Sequence, residues 1–315
     1  MESLKNGLLI ELTSDAPRAQ YKRREWDSKK TIIHWGQRKL LMSEIMFLTR
    51  YGDQSNKIVY AGAAPGNHIL YLSKLFPNHR FMLVDPNPFG IQETDHITII
   101  NDYFDDNKAH SYAGQNIIFI SDMRTADYRQ MSPIENEQFI LKDNETQMRW
   151  IGIMKPAKSM IKFRCPYPDV IKGPTQMFQG TIYLQPWAPP TSTETRLVID
   201  NELQLIQYDN LKYEEQLFYH NTISRFAAYS QPVKGEGLDN RFDASAEVFI
   251  LYEFLSKFPQ HIKGSMYKTI SEMSREISHN ITNTARTLAT PMKDPEERRH
   301  FPKIDHRGFY STSKK

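Results

Sequence analysis

The sequence predicts an α/β fold with a mostly parallel central sheet and helices on both faces, and two observations carry that prediction. From residue 57 onward, short β-rich runs alternate with helix-like stretches, the order that builds parallel strands joined by crossover helices. The 315 residues also hold no internal repeat, low-complexity tract or Gly/Ser linker, so the alternation belongs to one continuous fold.

The elements follow in chain order. TIIHWGQRKLLMSEIMFLTRYG (31–52) spaces Leu40, Met42, Ile45, Met46 and Leu48 for a helix packed on the sheet, with Gly52 in its C-cap region. The strand KIVYAGA leads into the helix HILYLSKLF, and the strands RFMLVD, ITII and NIIFISDM follow. A long amphipathic helix is expected through EQFILKDNETQMRWIGIMK, then strands in SMIKFRC and ETRLVIDN. EQLFYHNTISRFAAY and AEVFILYEFLSKF read as two more helices, and the residues after about 290 as loosely ordered. The expected division is an N-terminal extension (1–34), a single domain (35–289) and a basic, flexible tail (290–315).

Composition narrows the class. Hydrophobic residues make up 39% and charged ones 24%, as in soluble globular proteins. No run approaches the roughly 18 apolar residues of a membrane span, and the first residues lack a signal-peptide core, so the chain is expected in the cytosol, off the membrane. The single cysteine, Cys165, excludes an internal disulfide and a Cys-rich zinc site, and it reads as a small buried residue rather than a nucleophile. The ten histidines show no metal-binding spacing, and no metal is expected. A net charge of +3 does not by itself attract a polyanion. The basic runs YKRREWDSKK and EERRHFPKIDHRGFYSTSKK are either solvated ends or phosphate contacts.

In an open α/β sheet, ligands bind beyond the carboxyl ends of the strands, so the informative residues follow each strand. After the first comes Gly62-Ala63-Ala64-Pro65-Gly66-Asn67-His68. It is neither a P-loop, which needs Lys-Ser or Lys-Thr, nor G-x-G-x-x-G. It is a glycine turn open to a ligand without phosphates, or a plain strand-to-helix turn. The second strand ends in Asp85, 23 residues beyond Gly62, near the spacing of a carboxylate that accepts from ribose hydroxyls; the alternative is an Asp that only starts the turn DPNP. The third runs into Asn101, Asp102, Tyr103 and Phe104, where a backbone amide and an aromatic face suit adenine. Together these features suit S-adenosylmethionine. The fourth strand delivers Asp122, a carboxylate too costly to bury alone. In MIKFRC, Lys162 and Arg164 share one strand face, as do Glu194 and Arg196 in ETRLVID.

GQRKLL, YAGAAPGNHILYL, ISDMR, KFRCPYPD and LQPWAPPTSTETRL resemble, in order over roughly residues 35–255, the successive blocks of the poxvirus cap-specific mRNA 2′-O-methyltransferase family. Its members double as the small, processivity subunit of poly(A) polymerase. The resemblance implies a Rossmann-like S-adenosylmethionine-dependent methyltransferase fold. It also implies the Lys-Asp-Lys-Glu tetrad shared with heat-shock rRNA and flavivirus cap methyltransferases, here on Lys39, Asp122, Lys162 and Glu194. The implied cofactor residues are Gln37, Tyr60, Gly62, Ala64, Pro65, Gly66, His68, Asp85, Tyr103, Phe104 and Asp122. One departure is that Asn87 stands where the family has an arginine.

The reaction implied is methylation of the ribose 2′-hydroxyl of the first transcribed nucleotide of capped mRNA. Lys162 is expected at the 2′-oxygen, as general base if neutral or as an orienting donor if charged. A cationic methylguanine binds best between electron-rich rings with carboxylates on its edge, a role the resemblance gives to Tyr167, Asp169 and Glu214, with Tyr21 as the second ring. Arg124, Arg164 and Arg196 are candidates for RNA phosphates, or equally for pairing with Asp122 or Glu194. The implied partners are capped mRNA and a poly(A) polymerase catalytic subunit, the implied location the cytoplasm, in a viral factory or virion. The competing reading is an RNA clamp for that polymerase, with or without methyl transfer.

Overall fold

Ile58, Val59, Tyr60 and Ala61 are each at most 1% exposed, although successive side chains of a strand point to opposite faces. The strand they form, β2 (Lys57–Ala61), is therefore covered on both sides, as in a parallel sheet flanked by helices. The computed structural model describes residues 7–22, 36–127, 130–189, 192–235 and 237–282. Residues 23–35, which hold most of the first basic run and the start of the first expected helix, lie outside these, as does the tail after residue 282 with its second basic run.

β2 pairs in parallel with β3 (Arg80–Val84) on one side and β5 (Ile118–Ser121) on the other. β4 (Ile97–Ile100) extends the sheet past β3, and β6 (Lys158–Phe163) past β5, both in parallel. The chain thus winds outward one way from β2 and returns to wind the other way from β5. The crevice of such a sheet opens at this switch point, between β2 and β5. Beyond β6 the direction reverses: β9 (Thr195–Asp200) runs antiparallel to β6, β8 (Gly180–Tyr183) antiparallel to β9, and β1 (Glu11–Leu12) antiparallel to β8. The eight-stranded order is β1-β8-β9-β6-β5-β2-β3-β4, with β7 (Thr175–Phe178) and β10 (Leu205–Tyr208) as a separate pair. The segment expected as an N-terminal extension accordingly supplies an edge strand to the main sheet.

Helices α1 (Gly36–Tyr51), α2 (Ile69–Leu75), α6 (Phe242–Lys257) and α7 (Met266–Thr282) pack on one another, while α3 (Asp106–Tyr112) packs on α4 (Pro133–Met154). α5 (Asn210–Thr222) is started by Asp209, whose side chain accepts from Lys212 N. α4 opens on a capping box between Ser132 and Glu135. Every residue of α1 from Arg38 to Thr49 is buried. One expectation, for its end, needs correction. Gly52 begins a 3₁₀ turn and is not in the left-handed region; a side chain there would meet His79, whose Nε2 lies 2.8 Å from Gly52 O.

Candidate active site

The antiparallel pairing of β6 with β9 sets Lys162 opposite Arg196, and opposed residues of a ladder share a face. The carboxyl end of β6 therefore meets the start of β9, with Glu194 one residue ahead of that strand. Asp122 follows β5 directly, held by its own N–H on Ala61 O at 2.9 Å. Lys39 reaches the same point from α1. Lys39 Nζ donates to Glu194 Oε1 at 2.5 Å, and Lys162 Nζ lies 3.1 Å from Asp122 Oδ1 and 3.4 Å from Glu194 Oε2. The four residues named from sequence are thus brought together, and Arg196 joins them, donating to Asp122 Oδ1 at 2.5 Å.

Three cations surround two carboxylates here. Burial pushes the Asp122 carboxyl up, but Lys162 and Arg196 outweigh it and leave the group at about 2. Glu194 is likewise raised by burial and driven well below the usual range by Lys162, Lys39 and Arg196. Lys39 moves the other way from an ordinary lysine: burial lowers it more than Glu194 restores. With all five ionised the cluster carries one net positive charge, suited to an oxygen that gains negative charge.

The glycine turn lies beside this cluster. Gly62 takes φ +75°, and a Cβ there would come within 2.7 Å of Met123 N, so the turn passes hard against the segment that carries Asp122. Gly66 takes φ +70° after the cis peptide Ala64–Pro65. Asp85, 6% exposed, accepts at Oδ2 from Ala64 N at 3.1 Å and at Oδ1 from the N–H and side-chain amide of Asn87 at 2.8 and 2.9 Å. Among these contacts Oδ2 has a single donor, leaving it acceptor capacity for a ribose hydroxyl. Asn87, at the position of departure from the resembled pattern, folds back to hold this acid.

Other expected cofactor residues support one another. Tyr60 OH donates to Glu44 Oε1 at 2.7 Å, His68 Nε2 lies 3.0 Å from Glu44 Oε2, and His68 Nδ1 lies 2.8 Å from Gln37 Oε1. Tyr60 and His68 are each 1% exposed, and the Tyr60 hydroxyl and both His68 ring nitrogens are already engaged. Phe104 sits within an aromatic cluster, its ring centroid 4.8 Å from Trp150 and 5.6 Å from Phe119. Tyr103, 71% exposed, is the open ring beside it.

The three arginines expected at RNA phosphates have carboxylate partners. Arg196, 2% exposed, belongs to the cluster above, the alternative already open from sequence. Arg124 Nη1 donates to Asp143 Oδ2 at 3.2 Å, and Arg164 pairs with Glu137. Arg164 thus pairs away from the carboxylates that hold Lys162, one residue past the end of β6 at Phe163.

A second group forms where the N-terminal segment meets α5. The ring centroids of Tyr21 and Tyr167 stand 6.3 Å apart at 32°, and Phe218 closes edge-on against Tyr21 at 5.4 Å. Glu214 is buried nearby; burial first, then the charge of Asp169, pushes its carboxyl up to about 7. Cys165 is 2% exposed, and burial pushes its thiol up to about 12, which leaves it protonated at neutral pH. Among the described residues no group of three or more His, Cys, Asp or Glu side chains is placed to hold a metal ion.

Sequence reasoning missed Glu44, Phe218 and the buried pair Arg38–Glu247. Arg38 Nε donates to Glu247 Oε2 at 2.7 Å and Nη1 to Ser278 Oγ at 2.8 Å. Arg38 and Glu44 had a signal, being charges inside an otherwise apolar helix; Phe218 had none.

Residues 10–286 match the family described as "Poly A polymerase regulatory subunit". The chain is 30% identical over 299 residues to the cap-specific mRNA (nucleoside-2′-O-)-methyltransferase of Myxoma virus (strain Lausanne), covering 88% of this chain and 83% of that protein. It is 32% identical over 209 residues to the protein of the same name from Fowlpox virus (strain NVSL), covering 59% and 67%. The solved structure of a Plasmodium falciparum protein assigned as a ribosomal RNA methyltransferase matches 51% of this chain and 95% of its own, at 12% identity and a TM-score of 0.33.

Proposed function

This chain belongs to the poly(A) polymerase regulatory subunit family, and from that premise we propose that Lys39, Asp122, Lys162, Glu194 and Arg196 carry the cap-specific mRNA 2′-O-methyltransferase activity of its relatives. The acceptor is the ribose 2′-hydroxyl of the first transcribed nucleotide. The observation that carries this reading is the convergence of two lysines and two carboxylates, in contacts of 2.5 to 3.4 Å, at the carboxyl edge of the parallel strands.

S-adenosylmethionine, when bound, supplies an electrophilic methyl group. Asp85 would accept from its ribose, with Gly62, Ala64, Pro65 and Gly66 lining the turn and Tyr103 and Phe104 beside the base. Gln37, Tyr60 and His68 back that turn through Glu44. Lys162 holds the 2′-oxygen of the acceptor nucleotide, and the positive excess of the cluster stabilises the charge that develops there. Asp122 and Glu194 orient Lys162 and Lys39, while Arg196 keeps Asp122 ionised.

The cap would lie between Tyr21 and Tyr167, with Glu214 and Asp169 toward its base edge. A ring stacked at about 3.5 Å on each side needs roughly 7 Å between the flanking rings, and the Tyr21 and Tyr167 centroids stand 6.3 Å apart, tilted at 32°. Glu214 accepts no hydrogen bond among the described residues, and burial with the charges of Asp169 and Glu215 outweighs the Arg164 cation in holding its carboxyl up; a cation at that place relieves both conditions.

The family description also names a poly(A) polymerase, and association with its catalytic subunit is part of the proposal. No helix of the described residues is long and apolar enough to cross a membrane, and action in the cytoplasm is part of the proposal, from the poxvirus relatives. The deciding assay incubates the protein with radiolabelled S-adenosylmethionine and short RNAs bearing or lacking a methylated cap. Label on the 2′-oxygen of the first nucleotide of capped RNA alone is the expected result. Label elsewhere, or none, rejects the assignment.

A further inference from the structure

Helix α4 turns four polar side chains into the interior: Glu137, Asp143, Asn144 and Gln147 are each at most 2% exposed. The inward face of a helix ordinarily carries aliphatic groups, and burying polar ones is costly unless each finds a partner. Apart from contacts of Gln147 and Glu137 within α4 itself, the partners lie on segments that carry proposed site residues. Gln147 Nε2 donates to the carbonyl of Lys162 at 3.0 Å, and Asn144 Nδ2 to the carbonyl of Arg164 at 3.0 Å. Glu137 accepts from Tyr167 N at 2.9 Å and from the Arg164 guanidinium, which itself lies 4.6 Å from the centre of the Tyr167 ring. Asp143 accepts from Thr125 N at 3.0 Å and from Arg124, just past Asp122.

One stiff element therefore grips the segment at Lys162, at Tyr167 and between them. Ten residues separate Glu137 from Gln147, about 15 Å of axial rise. We infer that α4 is a strut that sets the spacing between the Lys162 end, where the acceptor oxygen is held, and the Tyr167 end, where the cap is held. Glu137, Asn144 and Gln147 are its positioning residues. The strut selects which nucleotide is methylated: with the cap anchored at Tyr167, only the ribose next to it reaches Lys162. This inference rests on the proposed function and adds the origin of its positional choice.

A purely structural role would lower stability and overall rate without changing where the methyl goes. The test uses the full chain as Asn144→Leu and Glu137→Gln, the second keeping the size of the side chain. The substrate is RNA with a methylated cap and no other methylation. The readouts are kcat, KM, cap-analogue affinity and the labelled nucleotide after nuclease digestion. Asn144→Leu is expected to lower kcat at the first nucleotide at least tenfold, with cap-analogue affinity unchanged and label appearing on the second nucleotide. Glu137→Gln is expected to raise KM for capped RNA and weaken cap-analogue binding. If the wild type labels the first nucleotide and both variants do the same with unchanged kcat and KM, or lose rate with all remaining label still on the first nucleotide, the strut is rejected and the proposed function stands. If the wild type labels neither nucleotide, the proposed function fails and the strut fails with it.

Discussion

At the scale of single residues, the site depends on charges that no residue could keep alone. Lys162 lies 3.1 Å from Asp122 and 3.4 Å from Glu194, and its replacement removes the group proposed to hold the acceptor oxygen. Lys162→Ala should reduce methyl transfer to capped RNA by more than a hundredfold while S-adenosylhomocysteine binds within about threefold of wild type by calorimetry; activity above a tenth of wild type would reject the role. Glu214 makes a prediction in pH. Its carboxyl sits at about 7, so below neutrality a bound cationic cap must first displace a proton. Cap-analogue affinity should fall as pH is lowered from 7.5 toward 5.5, at up to about tenfold per unit. Glu214→Gln should bind more weakly at pH 7.5 and lose most of that slope; an equal slope in both proteins would exclude Glu214 from the pocket. The identity of these residues was legible from spacing and resemblance. Their mutual pairing was not, because hydrogen-bond partners such as Arg164–Glu137 come from elements 27 residues apart.

At the scale of elements, α1 is the clearest case of a helix whose role comes from its surroundings. Arg38 is fully buried and ties α1 to α6 through Glu247 and to α7 through Ser274 and Ser278. Its neighbour Lys39 reaches Glu194 in the charged cluster, so the same turn of helix is both anchored to α6 and α7 and joined to the proposed site. Losing one partner of a buried ion pair typically costs about 3–5 kcal/mol. Arg38→Met should destabilise by that order in urea unfolding, and adding Glu247→Met should recover part of the loss; a single variant within about 1 kcal/mol of wild type would show that the pair does not hold α1. The elements read most securely from sequence were those with long apolar runs, β2, β3, β5 and β6. The strands β1, β7, β8 and β10 were missed because they are two to four residues long and only partly buried. α7 did carry a signal: Ile270, Met273, Ile277 and Ile281, all buried, recur at helical spacing.

At the scale of the molecule, acid should reveal how far the cluster is coupled to folding. Asp122 is held at about 2, below its ordinary 3.8, and Glu194 is also depressed. Groups lowered in this way stabilise the folded state fully above their unfolded values, and that contribution is lost as pH falls through the folded ones. Stability should therefore decline between about pH 5 and 2, and Asp122→Asn should show a shallower decline by denaturant titration; an unchanged slope would mean that Asp122 is no better paired folded than unfolded. By itself the sequence determined the order of β2 to β6 and β9, the helices α1, α2, α4, α5 and α6, and the glycine turn after β2, because each is written in local periodicity or spacing; the tetrad came from the resemblance. Tertiary structure alone decided that β9 runs antiparallel so that Arg196 faces Lys162, that Glu11 and Leu12 add an edge strand to the sheet, and that α4 bonds the segment from Lys162 to Tyr167. Those contacts join residues 15 or more positions apart, and only the packed fold brings their partners within a few ångströms.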